Sequence, residues 1–510
     1  MAPLLGLLTL FVLICARYAS RLNLWGDEAY SLMVAAKPVG SILGADPFHL
    51  PTYYLALHPA APLFSVGLEW PLRLIHALIF CVGLGYGWRI AEALLGRGWA
   101  VWGVLLLTIL LPNYIFYATN LRMYAPLFAA SMAFLWTSFR LLEPGGDKGR
   151  PWAWHGLTAL LCVLIDWPGG LLVALTWAAL IGFRRRSPLA RPKGSRLLMA
   201  AGAVVAAGAA LMLREPLFRP LLAWTARQGG GGSGLSAVAK ALFLWIRPLL
   251  DLVYPPAYPL ALNLLLWALL ALALPLAALV LWRGGNERER LVAVLAFSWV
   301  VGAPFGLALT RVFLPGQFFS LLGIALALRR LRHRPWPLAA PILWGCLIAV
   351  GLANLQQVVA PTLRIYSRIP YATIARDAVS AARERRLPLI AISRHTLNAL
   401  SVERHGRTRL TGSQELRLLD SHPVCASFPR GTFVYVQLMP EDGEHSDPRR
   451  ACAGQEPVAV EVLRSYVSFA ELAYNPLWVS NLKDRGERGA AAQLLLVTIP
   501  GAGHGPSPPG

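Results

Sequence analysis

Long apolar runs separated by short basic or loop-like segments fill the first 360 residues, and the pattern then changes to short alternating stretches. A membrane-spanning helix needs about 20 predominantly apolar residues. Runs of roughly that kind lie at 3–20, 72–95, 99–117, 122–142, 152–166, 168–183, 196–213, 260–282, 291–310, 312–328 and 338–357. The pattern predicts an α-helical polytopic membrane domain over 1–357 with about 11 transmembrane helices. The runs 152–166 and 168–183 are short and meet at Asp166-Trp167-Pro168, which predicts a tight hairpin. Pro3 to Ala19 has small residues near its end, as a signal peptide would. It lacks a Lys or Arg ahead of the run and is followed by further spans, so it reads as an uncleaved first helix.

Beyond residue 358, Tyr371–Arg386 has helical periodicity, and Leu389–Ser393, Thr432–Gln437 and Gln493–Thr498 read as strands. These predict a small C-terminal α/β domain over 358–500, with a Gly/Pro-rich disordered tail at 501–510. No phosphate-binding loop or dinucleotide glycine fingerprint occurs, so nucleotide binding has no support.

Composition sharpens the membrane reading. Residues are 56% hydrophobic and only 14% charged, against roughly 25% charged in soluble domains. The net charge is +21, from 47 Lys and Arg against 26 Asp and Glu. In a soluble protein that balance would suggest nucleic acid as partner. Here the basic residues cluster between apolar runs, so they report topology and contact with lipid headgroups, not nucleic acid. Four dense linkers (Arg140–Arg150, Arg184–Arg196, Arg283–Arg290 and Arg329–Arg334) all follow even-numbered spans. With the N-terminus inside, all four are cytoplasmic, although Arg17 and Arg21 fall on the other side. The same parity places the loop 21–71, the loop 214–259 and the C-terminal domain outside.

The loop 214–259 contains Gly229–Gly234, a linker by composition, followed by an amphipathic stretch Leu235–Leu250 that would suit a lid. Cys15, Cys81, Cys162 and Cys346 lie in apolar runs as small core residues. Cys425 and Cys452 lie in the polar region and are able to pair if it is extracytoplasmic.

Candidate chemistry concentrates in the first outer loop. Asp27 and Glu28 open a short amphipathic helix, where acids commonly cap or complement the helix N-terminus. In so apolar a chain, adjacent carboxylates beside the bundle also point to function. An outward-facing site would draw on activated groups delivered on lipids. Transfer of a sugar from a lipid phosphate needs a carboxylate to take the acceptor proton and cations to hold the departing phosphate. Asp27 and Glu28 suit the first task; Arg73, Arg122 and Arg311 at outer helix ends suit the second, with Tyr124 beside Arg122. Each arginine alone reads equally as a side chain snorkelling to headgroups. His49, Tyr53 and Tyr54 follow the acidic helix, and Asp166 sits outward in the hairpin. The tyrosines also fit an interfacial aromatic belt, and Asp166 fits a loop cap. No residue spacing matches a metal site.

Trp25-Gly-Asp-Glu-Ala-Tyr30, His49-Leu-Pro-Thr-Tyr-Tyr54, Leu121-Arg-Met-Tyr-Ala125 and Arg311-Val-Phe-Leu-Pro315 occur in this order. Together they resemble the GT-C glycosyltransferases of the protein O-mannosyltransferase-like group (glycosyltransferase family 39), which includes bacterial enzymes that add aminoarabinose to lipid A. The resemblance covers about residues 20–330. It implies an inverting transferase that uses a polyprenyl-phosphate sugar donor and a lipid, glycan or protein acceptor. It also implies Asp27 as base, with Arg122 and Arg311 at the family's arginine motifs. Some members bind a divalent cation near the acidic motif. The chain departs from the family where Thr119-Asn-Leu-Arg122 replaces an acidic Gln-Glu-Ala-Arg run, and where Asp166-Trp167 replaces a common histidine. A transporter or flippase of lipid-linked saccharides is the alternative, but no internal repeat supports it.

Overall fold

A computed structural model of the chain describes residues 2–19, 26–46, 49–65, 69–143, 149–184, 252, 260–298, 314–332, 336, 338–359, 371–391, 416–418, 425–438, 447–453, 458–467 and 490–500. The helices, in chain order, begin with α1 (Ala2–Ala19), α2 (Gly26–Ala35), α3 (Val39–Ile42), α4 (Thr52–Leu57), α5 (Ala61–Ser65) and α6 (Glu69–Leu95). There follow α7 (Trp99–Ile109), α8 (Pro112–Ala118), α9 (Tyr124–Leu141), α10 (Gly149–Ile165) and α11 (Trp167–Arg184). Next come α12 (Leu260–Gly284), α13 (Glu287–Ala296), α14 (Leu314–Leu331) and α15 (Ala339–Val359). The remaining elements are α16 (Tyr371–Arg385), β1 (Leu389–Ala391), β2 (Leu416–Leu418), β3 (Gly431–Leu438), α17 (Pro448–Ala451), β4 (Ala459–Val467) and β5 (Ala490–Ile499).

Two compact units emerge. One comprises residues 1–20, 43–53 and 70–361; the other comprises 21–42, 54–69 and 362–510. In the first, α1, α6, most of α12 and most of α15 are long and apolar enough to cross a membrane. The pair α7 and α8 makes a fifth candidate, bent by 64°. The protein is therefore a polytopic membrane protein. The expected run 196–213, the stretch Leu235–Leu250, Gly229–Gly234 and most of 291–310 lie outside the described residues.

The α7–α8 bend has a local cause. Leu111 is extended, at φ −63° and ψ 119°, and Pro112 opens α8. A proline disfavours helical geometry in the residue before it and contributes no N–H, so the chain breaks there and restarts. The Tyr114 hydroxyl donates to the carbonyl of Leu314 at 2.6 Å, tying α8 to the start of α14. Close packing elsewhere uses small residues. A Cβ at Gly83 would lie 2.6 Å from the Phe128 ring, and that ring stacks on Phe80 with centroids 4.0 Å apart. At Gly169 a Cβ would collide with the Cys162 carbonyl. That glycine lets α11 leave α10 through the tight hairpin the sequence predicts, with the Gly169 N–H donating to Asp166 O at 2.9 Å.

The basic linkers come together. Arg140 and Arg288 both pair with Glu143, at 2.9 and 3.1 Å. Arg330 pairs with Glu289, and Arg329 donates to Leu94 O at 2.8 Å. Arg140, Arg288 and Arg330, from three of the basic linkers, thus share one end of the bundle.

In the second unit the five strands form one sheet in the order β2-β1-β3-β5-β4. β1 runs parallel to β2 and β3, and β5 runs antiparallel to β3 and β4. Alternation decides its two faces. Leu389, Ala391, Val434, Val436 and Leu494 pack with Ile374, Ala375, Ala378, Val379 and Ala382 of α16. Ile390, Phe433, Tyr435, Leu495 and Val497 pack with Phe428 and with Cys425 and Cys452. Those two cysteines are joined in a disulfide. Strand β4 was not among the expected strands. A register irregularity between Val462 and Arg464 shifts its inside–outside phase midway and erases the alternation that betrays a strand.

Candidate functional site

The site is built from the hydrogen bonds of His49. Its Nε2 accepts from Arg122 Nη2 at 3.0 Å, and its Nδ1 lies 3.3 Å from Asp166 Oδ1. A guanidinium has no acceptor, so Nε2 must carry a lone pair and Nδ1 the proton. The ring therefore donates through Nδ1 to Asp166 Oδ1. Arg122 comes from the turn between α8 and α9, Asp166 from the α10–α11 hairpin, and His49 from the segment before α4. Arg122 and Asp166 are buried. Three segments distant in sequence thus meet in one chain of polar contacts at the end of the bundle away from the basic linkers.

Around them the same turn offers further polar groups. Arg73, near the start of α6, reaches Thr119 O at 3.4 Å. Asn120 is buried, and its Oδ1 has no hydrogen-bond partner among the described residues. A buried orphan acceptor costs on the order of 1–3 kcal/mol, so this atom suits a donor from a ligand. Tyr124 is buried and packs edge-on against Tyr117, with centroids 5.1 Å apart.

Four residues after His49, Tyr53 contacts His76 of α6, Oη to Nε2, at 3.0 Å. His76 Nδ1 lies 2.9 Å from Leu72 O. A carbonyl only accepts, so Nδ1 holds a proton and donates to it. His49 and Tyr53 therefore anchor their segment to the bundle at two points. His76 was not among the sequence candidates; its position three residues after Arg73, on the same helix face, was the available signal.

In the second unit, Glu28 is buried on α2. Tyr54 packs edge-on against Tyr30, with centroids 6.5 Å apart. His58 donates from Nδ1 to Ala35 O at 2.6 Å, fastening the end of α2. Asp27 lies in the first turn of α2 by its backbone, but its side chain is outside the described residues, as is all of Arg311. No group of three or more His, Cys, Asp or Glu suited to a metal occurs among the described residues.

No protein-family model matches the chain, and no curated protein matches it. Among solved structures, it is similar to ArnT from Cupriavidus metallidurans bound to undecaprenyl phosphate, with 15% identity, a TM-score of 0.48 and 97% of each chain covered. It is also similar to the same protein in the apo state, with 14% identity, a TM-score of 0.49, and 96% of this chain and 98% of that one covered.

Proposed function

We propose that the protein is a glycosyltransferase that moves a sugar from a polyprenyl-phosphate donor to a lipid, glycan or protein acceptor. The observation that carries this reading is the Arg122–His49–Asp166 chain, with Arg122 and Asp166 buried. Charge set into a membrane bundle is costly and marks function more often than support. The reaction breaks the bond between the sugar's anomeric carbon and the phosphate oxygen, and forms one to an acceptor oxygen or nitrogen. It needs cations for the departing polyprenyl phosphate and a carboxylate for the acceptor proton. Arg122 and Arg73 supply cations in the first unit, and Arg311 joins them by its motif. Asp27 takes the acceptor proton, with Glu28 as its neighbour on α2. In the first unit Asn120, His49, Tyr53, Tyr124 and Asp166 bind substrate, and Tyr54 does so in the second. The Cys425–Cys452 disulfide suits an oxidising compartment and supports an inner-membrane protein whose second unit faces the periplasm.

The test is mass spectrometry of membrane glycolipids and surface glycans from a deletion strain carrying wild type or Asp27→Asn. The expected result is a single missing sugar, restored by wild type, with at least about a hundredfold less product from the variant. Full restoration by Asp27→Asn would remove Asp27 as the base and favour transport of lipid-linked saccharides.

A further inference from the structure

The hydrogen-bond directions around His49 have a consequence for how an anion enters. In the resting arrangement Arg122 donates to the His49 imidazole, which donates in turn to Asp166. Arg122 Nη2 is committed to His49 Nε2. A phosphate oxygen is a stronger acceptor for a guanidinium than a neutral imidazole. Drawing that N–H away leaves Nε2 as a bare lone pair beside a second anion, with Asp166 still at Nδ1. A phosphodiester also adds −1 to a largely buried set, and charge left unbalanced there is costly.

One proton on Nε2 resolves both problems. The imidazolium then donates through Nδ1 to Asp166 and through Nε2 to the phosphate, and the local charge returns to its resting sum. Histidine is the side chain able to make this change near neutral pH. Among the described residues, the charged groups in contact with the ring are Asp166, from the α10–α11 hairpin, and Arg122, from the α8–α9 turn. Arg73 reaches the same turn at Thr119, and Asp46 lies three residues back on the ring's own segment. His76 contacts Leu72 O and Tyr53.

We propose that His49 is a proton-coupled positioning residue: a lipid phosphodiester displaces it from Arg122, and it takes up a proton to complete the anion site. The inference rests on the donor reading above. Because the bound state holds more protons than the free state, affinity rises as pH falls, by at most about tenfold per pH unit.

The experiment is isothermal titration calorimetry of the full-length protein in detergent with a short polyprenyl methyl phosphodiester. Its single charge stays constant between about pH 5.5 and 8.5, since a diester lacks the second ionisation near pH 6 of a monoester. Paired buffers of different ionisation heat count the protons. Wild type is expected to take up a substantial fraction of one proton per ligand near pH 7, with affinity falling toward pH 8.5. His49→Gln keeps an acceptor for Arg122 and a donor for Asp166 but does not titrate in this range. It is expected to bind with near-zero uptake and a flat profile. Asp166→Asn removes the anion that sustains the imidazolium and is expected to lower uptake; thermal melting verifies that both variants fold. Ligand binding without proton uptake by wild type, or unchanged uptake in His49→Gln, overturns the proposal and leaves the donor reading standing. No binding at any pH overturns both.

Discussion

The two units each contain an aspartate, an arginine and an aromatic hydrogen-bonding group, and they use them differently. In the sheet unit, Asp377 of α16 accepts from Arg464 at 2.8 Å and from the Tyr466 hydroxyl at 2.7 Å, both on β4. The Arg464 side chain is 60% exposed and that of Asp377 is 23% exposed. In the bundle, the side chain of Asp166 is 2% exposed and that of His49 is 24% exposed. Water shares the charge in the first case, and the contacts pin α16 to β4 at little desolvation cost. In the second, each ion gives up several kcal/mol of hydration, which only an ordered network or a ligand offsets. The same chemistry is thus a fastening on the sheet and a candidate site in the bundle, and burial makes the difference.

The Tyr466 phenol follows the same logic. Burial of the ring first, then the hydrogen bond to Asp377 and its negative charge, push its pKa well above the ordinary tyrosine value, while Arg464 opposes the shift. A raised folded-state pKa favours the neutral phenol. Its stabilisation is complete below the unfolded tyrosine value near pH 10 and is lost as pH rises beyond it.

The comparison breaks most visibly at Asp166. Replacing it with Ala removes the buried anion at the end of the Arg122–His49–Asp166 chain, and a loss of about 3–5 kcal/mol is expected in thermal or denaturant melts in detergent. Severing the disulfide by Cys425→Ser with Cys452→Ser opens a link between residues 27 apart. Loop-closure entropy puts that loss at roughly 3–4 kcal/mol, confined to the sheet unit and visible in hydrogen exchange of β3 and β5. Tyr466→Phe deletes one charge-assisted hydrogen bond, for about 1.5–3 kcal/mol. Its stability difference from wild type should shrink as pH rises above about 10. Arg464→Ala, at an exposed pair, should change stability by about 1 kcal/mol or less, and less still in high salt. A loss at Arg464 as large as that at Asp166 would erase the contrast between the units.

Much of this was legible in the chain. The apolar runs located α1, α6, α12 and α15, because hydrocarbon length and backbone satisfaction leave a membrane segment few options. Asp166-Trp167-Pro168 foretold the α10–α11 hairpin. The helix Tyr371–Arg386 and the strands near 389, 432 and 493 followed from period alone, whereas the irregular β4 did not. His49, Arg122 and Asp166 were each singled out, but as three separate residues with an ordinary surface explanation for each. His76, the Thr119 carbonyl and Asn120 carried too little sequence signal to be chosen.

The sequence by itself determined the class of protein, the basic end of the bundle, and which charged residues were worth watching. Those properties follow from local pattern and from hydration costs that apply residue by residue. Only the tertiary structure decided that His49 and Asp166, 117 residues apart, share a proton-ordered contact with Arg122. It also decided that the disulfide closes over one face of the sheet. Partner choice across such distances depends on how helices pack and where their ends fall. The direction of each hydrogen bond, and with it the charge state of His49, is fixed only when the partners are in place.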